Sequence, residues 1–150
     1  MIGLPNGWDS GAVSTKAIQS GDGYVEFTAS PVANSRICGL SNGDTTKSFT
    51  DIDFSISANP SGYIDIWENG NFVSGGIYTY QDGDHFRVAL QGGFVNYYLI
   101  NPNTNNGTLL YTSAVRLDST YYPLRVDTSL NIADSRIVDV KIAGSLVTVP

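Results

Sequence analysis

Charge is scarce in this chain of 150 residues. Charged side chains make up 15% of it, and the acidic share is 12 Asp against only 2 Glu, with Lys at just three positions. Helices carry Glu and Lys on their solvent faces far more readily than Asp, so long helices are not expected. The net charge is −6, and the arginines Arg36, Arg87, Arg116, Arg125 and Arg136 are scattered along the sequence. A nucleic-acid or anionic-membrane binder gathers positive charge on one surface, so neither partner is expected.

Reactive residues are equally few. Cys38 is the only cysteine and can form no intrachain disulfide. Its neighbours, Ile37, Gly39 and Leu40, suit a small buried hydrophobe better than an exposed thiolate. His85 is the only histidine, and it follows Gly83-Asp84 at a strand start, not a nucleophile elbow. Zinc hydrolysis lacks its ligands, and no Gly-rich phosphate loop precedes a helix, so no nucleotide cofactor is expected. No segment approaches the ~20 apolar residues that span a bilayer. The opening Met1-Ile2-Gly3-Leu4-Pro5 has neither the basic nor the apolar region of a signal peptide. The expectation is a monomeric module cut from a longer chain.

What is abundant favours sheet. Hydrophobic residues reach 41%, with 16 Gly and 9 Tyr, and the length suits one domain over residues 1–150. β-Forming runs recur between turn signals. They cover Ala12–Ile18, Tyr24–Ala29, Arg36–Leu40, Asp51–Ser57, Tyr63–Glu68, Phe72–Tyr80, His85–Gln91, Phe94–Leu99, Thr108–Ser113, Tyr122–Asp127 and Ile137–Ile142. The stretch from Leu146 to Val149 reads as a tail strand or a linker stub. Boundaries fall at Gly21-Asp22-Gly23, Ser41-Asn42-Gly43-Asp44, Asn59-Pro60-Ser61-Gly62, Asn69-Gly70, Gln81-Asp82-Gly83-Asp84 and the tight Gly92-Gly93 link. The polar Asn101 to Gly107 stretch cannot bury enough apolar surface to be core, so it reads as a projecting loop. Within it, Asn106-Gly107-Thr108 is a formal glycosylation sequon, relevant only in a secreted eukaryotic protein.

Several of these segments occur in a telling order: Gly21-Asp22-Gly23-Tyr24-Val25-Glu26-Phe27, Gly39-Leu40-Ser41-Asn42-Gly43-Asp44, Asp51-Ile52-Asp53-Phe54, Gly83-Asp84-His85-Phe86-Arg87-Val88, and Tyr122-Pro123-Leu124. The arrangement resembles the concanavalin A-like jelly-roll family, and within it SPRY-like and bacterial surface-protein modules, from about Trp8 to Ile142. The resemblance implies an all-β, antiparallel two-sheet sandwich, often glycan- or peptide-binding, on which function must still be argued from a site. The Asn-rich stretch before Asn106-Gly107 departs from the pattern.

Some members of that superfamily are glucanases, with Glu-x-Asp-x-x-Glu on one strand. The corresponding segment here is Tyr63-Ile64-Asp65-Ile66-Trp67-Glu68. Retaining hydrolysis needs two carboxyl groups about 5 Å apart, and Tyr63 stands where the attacking Glu would be. Glu26 is remote in sequence, so no enzyme activity is expected.

Alternation along the strands suggests a binding face instead. Tyr63, Asp65 and Trp67 share one side of their run, opposite Ile64 and Ile66. Phe94, Asn96 and Tyr98 share a side opposite Val95 and Tyr97, and Arg87 lies on the preceding run. Sugars present C–H patches beside hydroxyls, which flat rings flanked by polar groups complement. Tyr63, Asp65, Trp67, Arg87, Asn96 and Tyr98 are the candidate ligand-binding residues, expected to form one platform. The competing reading has Trp67 and Tyr98 merely covering a sheet. Trp8 is expected to plug one end of the core.

Asp51-x-Asp53 and Asp82-x-Asp84 resemble halves of a calcium site. Turn stabilisation is the better reading, since neither matches an EF-hand loop. A bound calcium would be structural, its shell completed by carbonyls of the Ser41 to Asp44 or Gln81 to Asp84 turn. The expectation is a non-catalytic carbohydrate-binding module, extracellular or at the cell surface, whose partner is a polysaccharide or glycan. The alternatives are a SPRY-like protein-interaction or structural module and, third, a degenerate β-glucanase.

Overall fold

The computed structural model describes residues 10–28, 36–43, 49–130 and 137–149. Within them the chain forms ten strands and no α-helix. The strands are β1 (Ser10–Thr28), β2 (Arg36–Ser41), β3 (Phe54–Ala58), β4 (Tyr63–Glu68), β5 (Asn71–Thr79), β6 (His85–Gln91), β7 (Phe94–Ile100), β8 (Gly107–Thr112), β9 (Leu124–Leu130) and β10 (Val138–Thr148), with single 3-10 turns at Phe49–Asp51 and Ser119–Tyr121. Neighbours run β5-β4-β3-β2-β9-β1-β6-β7-β8, and β10 also pairs with β1. Every pairing is antiparallel.

That hydrogen-bonded path closes into two layers because β1 belongs to both. Its first half, Ser10 to Ile18, pairs with β9, and its second half, Gly23 to Thr28, pairs with β6. Strand β10 follows the same course, meeting Lys16 to Ile18 through Leu146 to Thr148 and Gly23 to Thr28 through Gly144 to Val138. Leu40, Phe54, Ile56, Ile64 and Ile66 from one layer then pack with Phe27, Phe86, Val88, Val95 and Tyr97 from the other in one apolar cluster. The result is the expected antiparallel two-sheet jelly-roll sandwich.

The corner explains two departures from the sequence-based boundaries. Gly21-Asp22-Gly23 reads as turn chemistry, yet β1 continues through it, bulging while β10 advances only from Leu146 to Gly144. Gly21 lies at φ +68°, and Gly144 at φ +134°, where a side chain would be strained. A Cβ on Gly23 would sit 2.5 Å from the Ala143 carbonyl oxygen. Glycine therefore serves a close approach of two backbones here, not a reversal. At the other end of the chain, Leu146 to Thr148 pair within β10, and the Val149 amide donates to the Thr15 carbonyl at 2.7 Å. The tail is strand there, not linker.

Two strand starts also shift. Asp51 lies in a 3-10 turn and β3 begins at Phe54, because the Ile52 and Asp53 carbonyls accept from the Asn69 amide instead of a sheet partner. Pro123 has no N–H to donate, and β9 starts after it, at Leu124. Cys38 is fully buried, and burial pushes its thiol up. Trp8 lies outside the described residues, as do Ala29, Asp44 and Arg136.

A polar contact ties the two layers across the core. Glu68, 8% exposed on the inward side of β4, accepts the Tyr97 hydroxyl at 3.1 Å and the Ser113 hydroxyl at 2.6 Å. Burial, and then the adjacent Glu68 carboxylate, hold the Tyr97 phenol well above the usual tyrosine range. Because its folded pKa exceeds its unfolded one, the neutral phenol contributes fully below about pH 10, and that contribution is lost as pH rises through the folded value. Tyr80 and Tyr122 are raised too, each chiefly by burial. Tm should hold steady from neutral pH to about pH 9 and fall above about pH 10. Tyr97→Phe should lower stability at neutral pH by about 1 kcal/mol and shallow the alkaline fall. Calorimetry across that range checks both, and an unaltered alkaline limb in the variant would count against this assignment.

Gly23→Val supplies a second check. It drives a side chain into the β10 backbone and should destabilise by about 2 kcal/mol or more in urea titration.

Candidate functional site

The outer face of the second layer collects side chains from three strands in register. Glu26 of β1 pairs with Arg87 of β6, which pairs with Tyr98 of β7. In the next row Tyr24 pairs with Ala89, Ala89 with Asn96, and Asn96 with Thr112. Small Ala89 leaves room beside it. Two shallow cavities open on this face. One, about 290 Å³, is lined by Arg87, Gln91, Tyr98, Ile100, Asn105 and Gly107. The other, about 370 Å³, runs from Arg87, Ala89, Leu90 and Gln91 past Tyr24 to Asp22, Gly23, Ala143 and Gly144. Arg87 and Gln91 border both.

Fixed polar contacts hold these side chains. Glu26 Oε1 accepts from Arg87 Nε at 3.0 Å and Nη2 at 2.7 Å, while His85 Nδ1 lies 3.5 Å from Glu26 Oε2. Glu26 is 9% exposed, while the Arg87 side chain is about a third exposed, so the pair is half-shielded from water and its two-point hydrogen bonding makes it stronger than a loose surface contact. The Arg87 guanidinium also lies over the Tyr24 ring, 4.2 Å from its centroid, a cation–π contact. Farther along, Gln91 Oε1 accepts from Asn96 Nδ2 at 2.7 Å and from the Tyr98 hydroxyl at 3.0 Å. Thr112 donates to Asn96 Oδ1 at 2.7 Å.

The polar loop joins β7 to β8 at the edge of this face. Its backbone closes on itself through Asn101 N to Asn106 O at 3.0 Å and Asn105 N to Asn101 O at 2.8 Å. Residues 101–106 are exposed at every position. Asn105, in the left-handed region at φ +58°, borders the smaller cavity.

Of the six residues picked from sequence, the structure brings Arg87, Asn96 and Tyr98 together and places Tyr63, Asp65 and Trp67 elsewhere. Glu68 on β4 and Tyr97 on β7 meet between the layers. Side chains at odd positions of β4 and at even positions of β7 therefore point out on opposite sides of the sandwich. One shared platform does not form. On the first layer Trp67 is half-buried and meets Phe72 edge-on, 5.6 Å between centroids. Tyr63 and Phe72 are exposed, whereas Asp65 accepts from Asn59 Nδ2 at 3.1 Å and packs against Gly75. Phe94, on the second layer's outer face, is exposed, with the Arg116 guanidinium over one side of its ring, 3.7 Å from the centroid.

Sequence reasoning missed Tyr24, Glu26, His85 and Gln91 as members of this face. Alternation along their strands does put them on one side. The pairing of β1 with β6, across 61 residues between Glu26 and Arg87, leaves no local signal.

The carboxylates are dispersed. Asp65 and Glu68 point to opposite sides of β4, and Glu26 lies on the other layer's outer face, so no two of these three flank a common space. Asp84 Oδ2 accepts from the Gln81 amide at 2.9 Å, and Asp53 Oδ2 accepts from the Asn42 amide at 2.9 Å. These are turn-stabilising contacts, and burial pushes the Asp53 carboxyl up. Among the described residues no group of three His, Cys, Asp or Glu side chains could hold a metal ion.

Glu26→Ala should leave the Arg87 guanidinium without its shielded acceptor and cost about 1.5–3 kcal/mol. Urea unfolding measures this, and a change below about 0.5 kcal/mol would mean that the pair is an ordinary surface contact.

The sequence matches no protein-family model and no curated protein. Solved structures do match. The chain is similar to stonustoxin, with TM-score 0.60 and 12% identity over 89% of this chain and 22% of that one. It is also similar to the exoplasmic/lumenal domain of VIP36 in its Ca2+/Man3GlcNAc-bound form, with TM-score 0.59 and 9% identity over 91% and 70% of the two chains. A toad ovary galectin in complex with thio-digalactose matches with TM-score 0.51 and 12% identity over 89% and 98%. The chain thus spans about a fifth of the stonustoxin chain. At these identities the likeness is one of fold alone, an antiparallel jelly-roll sandwich.

Proposed function

We propose that this chain is a non-catalytic carbohydrate-binding module of an extracellular or cell-surface protein, holding a glycan on the outer face of β1, β6 and β7. The observation that carries this reading is the pair of open cavities that share Arg87 and Gln91 between the rings of Tyr24 and Tyr98. Sugar rings expose C–H patches that lie on aromatic faces and hydroxyls that need polar partners held in place. Tyr98 offers the first, Tyr24 borders the larger cavity with Arg87 over its ring, and Arg87, Gln91 and Asn96 offer the second. The face is already ordered by its own hydrogen bonds, so a ligand need not pay to organise it. Likeness of fold to two sugar-bound proteins agrees with this reading without deciding it.

Aromatic residues on β4 are the competing location, with Tyr63, Asp65 and Trp67 on the far side of the sandwich. Affinity electrophoresis in polysaccharide gels and glycan arrays distinguish the two. Tyr98→Ala and Arg87→Ala should each weaken binding at least tenfold, about 1.4 kcal/mol, while Trp67→Ala leaves it intact. Loss in Trp67→Ala with retention in Tyr98→Ala would move the site to β4. No signal from the intact chain on any glycan would end the carbohydrate reading.

The exposed 101–106 loop favours one second reading, a SPRY-like protein-interaction module that reads its partner with that loop. It requires that replacing residues 101–106 by a two-residue turn abolish partner binding, with glycans inert throughout.

A further inference from the structure

The hydrogen bonds on the second layer's outer face decide which atoms are left for a ligand. Gln91 Oε1 is occupied twice, by Asn96 Nδ2 and by the Tyr98 hydroxyl. The Gln91 amide is turned with its Nε2 outward, at an exposed position bordering both cavities, and among the described residues Nε2 has no acceptor. Asn96 is turned to match, its Oδ1 accepting from Thr112 and its Nδ2 facing Gln91. Arg87 engages Glu26 through Nε and Nη2, and among the described residues its Nη1 has no acceptor. The centre of the face therefore presents donors from two side chains. Formal charge nearby is balanced. Arg87 is paired with Glu26, exposed Lys141 is the register partner of Glu26 on β10, and Asp22 borders the far cavity.

Resting on the glycan reading above, we infer that the Arg87–Gln91 pair recognises an acceptor edge of an uncharged sugar, such as a ring oxygen or vicinal hydroxyl oxygens. In this arrangement Asn96 and Thr112 are positioning residues that hold Gln91 as a donor. Gln91 then sets specificity, because an amide turned the other way would present an acceptor to the same ligand atoms.

Gln91→Glu tests this directly. A carboxylate can still accept from Asn96 and Tyr98, so the internal contacts survive, but the outward N–H donors are lost. The probes are neutral gluco-, galacto- and manno-oligosaccharides together with uronate-containing and sulfated ones, titrated calorimetrically at low and high NaCl. The native chain should bind a neutral glycan with an affinity that salt does not change, since no net charge is being screened. Gln91→Glu should weaken that binding at least tenfold. Thr112→Val should weaken it several-fold and Thr112→Ser should restore it, a rescue that simple loss of packing would not give. If Gln91→Glu lowers the melting temperature, the Thr112 pair decides. Native-like binding by Gln91→Glu, or binding confined to anionic glycans and weakened by salt, overturns this inference and leaves the glycan reading standing. Silence of the native chain on every probe overturns both.

Discussion

Strand β1 is shared between two sheets, and the architecture follows from that. Its first half bonds to β9 and its second to β6, so the chain must bend by one layer's thickness without releasing its backbone partners. Strand β10 bends alongside it, and the two backbones come too close at Gly23 and Gly144 for any side chain between them. With that corner in place the remaining strands can only add outward, five toward β5 and three toward β8.

Once the layers face each other, the inward and outward sets are fixed by pleating alone. Glu68, Tyr97 and Ser113 mark the interior with a hydrogen-bonded contact across it. Every odd residue of β4 and every even residue of β7 is thereby sent to opposite exteriors. The second layer's exterior combines shallow cavities with rings and polar groups already held by one another. On the first layer's exterior, Asp65 is engaged with Asn59 and Trp67 with Phe72. Both faces hold side chains already engaged with one another, and the second adds the two cavities bordered by Arg87 and Gln91.

The polar order on the second layer's exterior has a physical source in cross-strand pairing. Glu26 beside Arg87, and Asn96 beside Thr112, are directly opposed in their ladders, where side chains lie close enough to bond. The short link at Gly92-Gly93 puts Gln91 near Asn96 and Tyr98, only a few positions away in sequence. The side chains of this face have thus largely spent their rotamer entropy on one another.

Sequence alone determined the strand class, the interior and exterior sides of Tyr63 to Glu68 and of Phe94 to Leu99, and the projecting loop, because alternation and turn chemistry are local properties of the chain. It could not distinguish the Gly21-Asp22-Gly23 corner from a turn, since the same glycines serve a reversal or a close backbone approach. Nor could it tell that Trp67 and Tyr98 would part to opposite exteriors, or that Glu26 would meet Arg87. Those outcomes depend on which distant strands become neighbours, and only the packing of the two layers settles that.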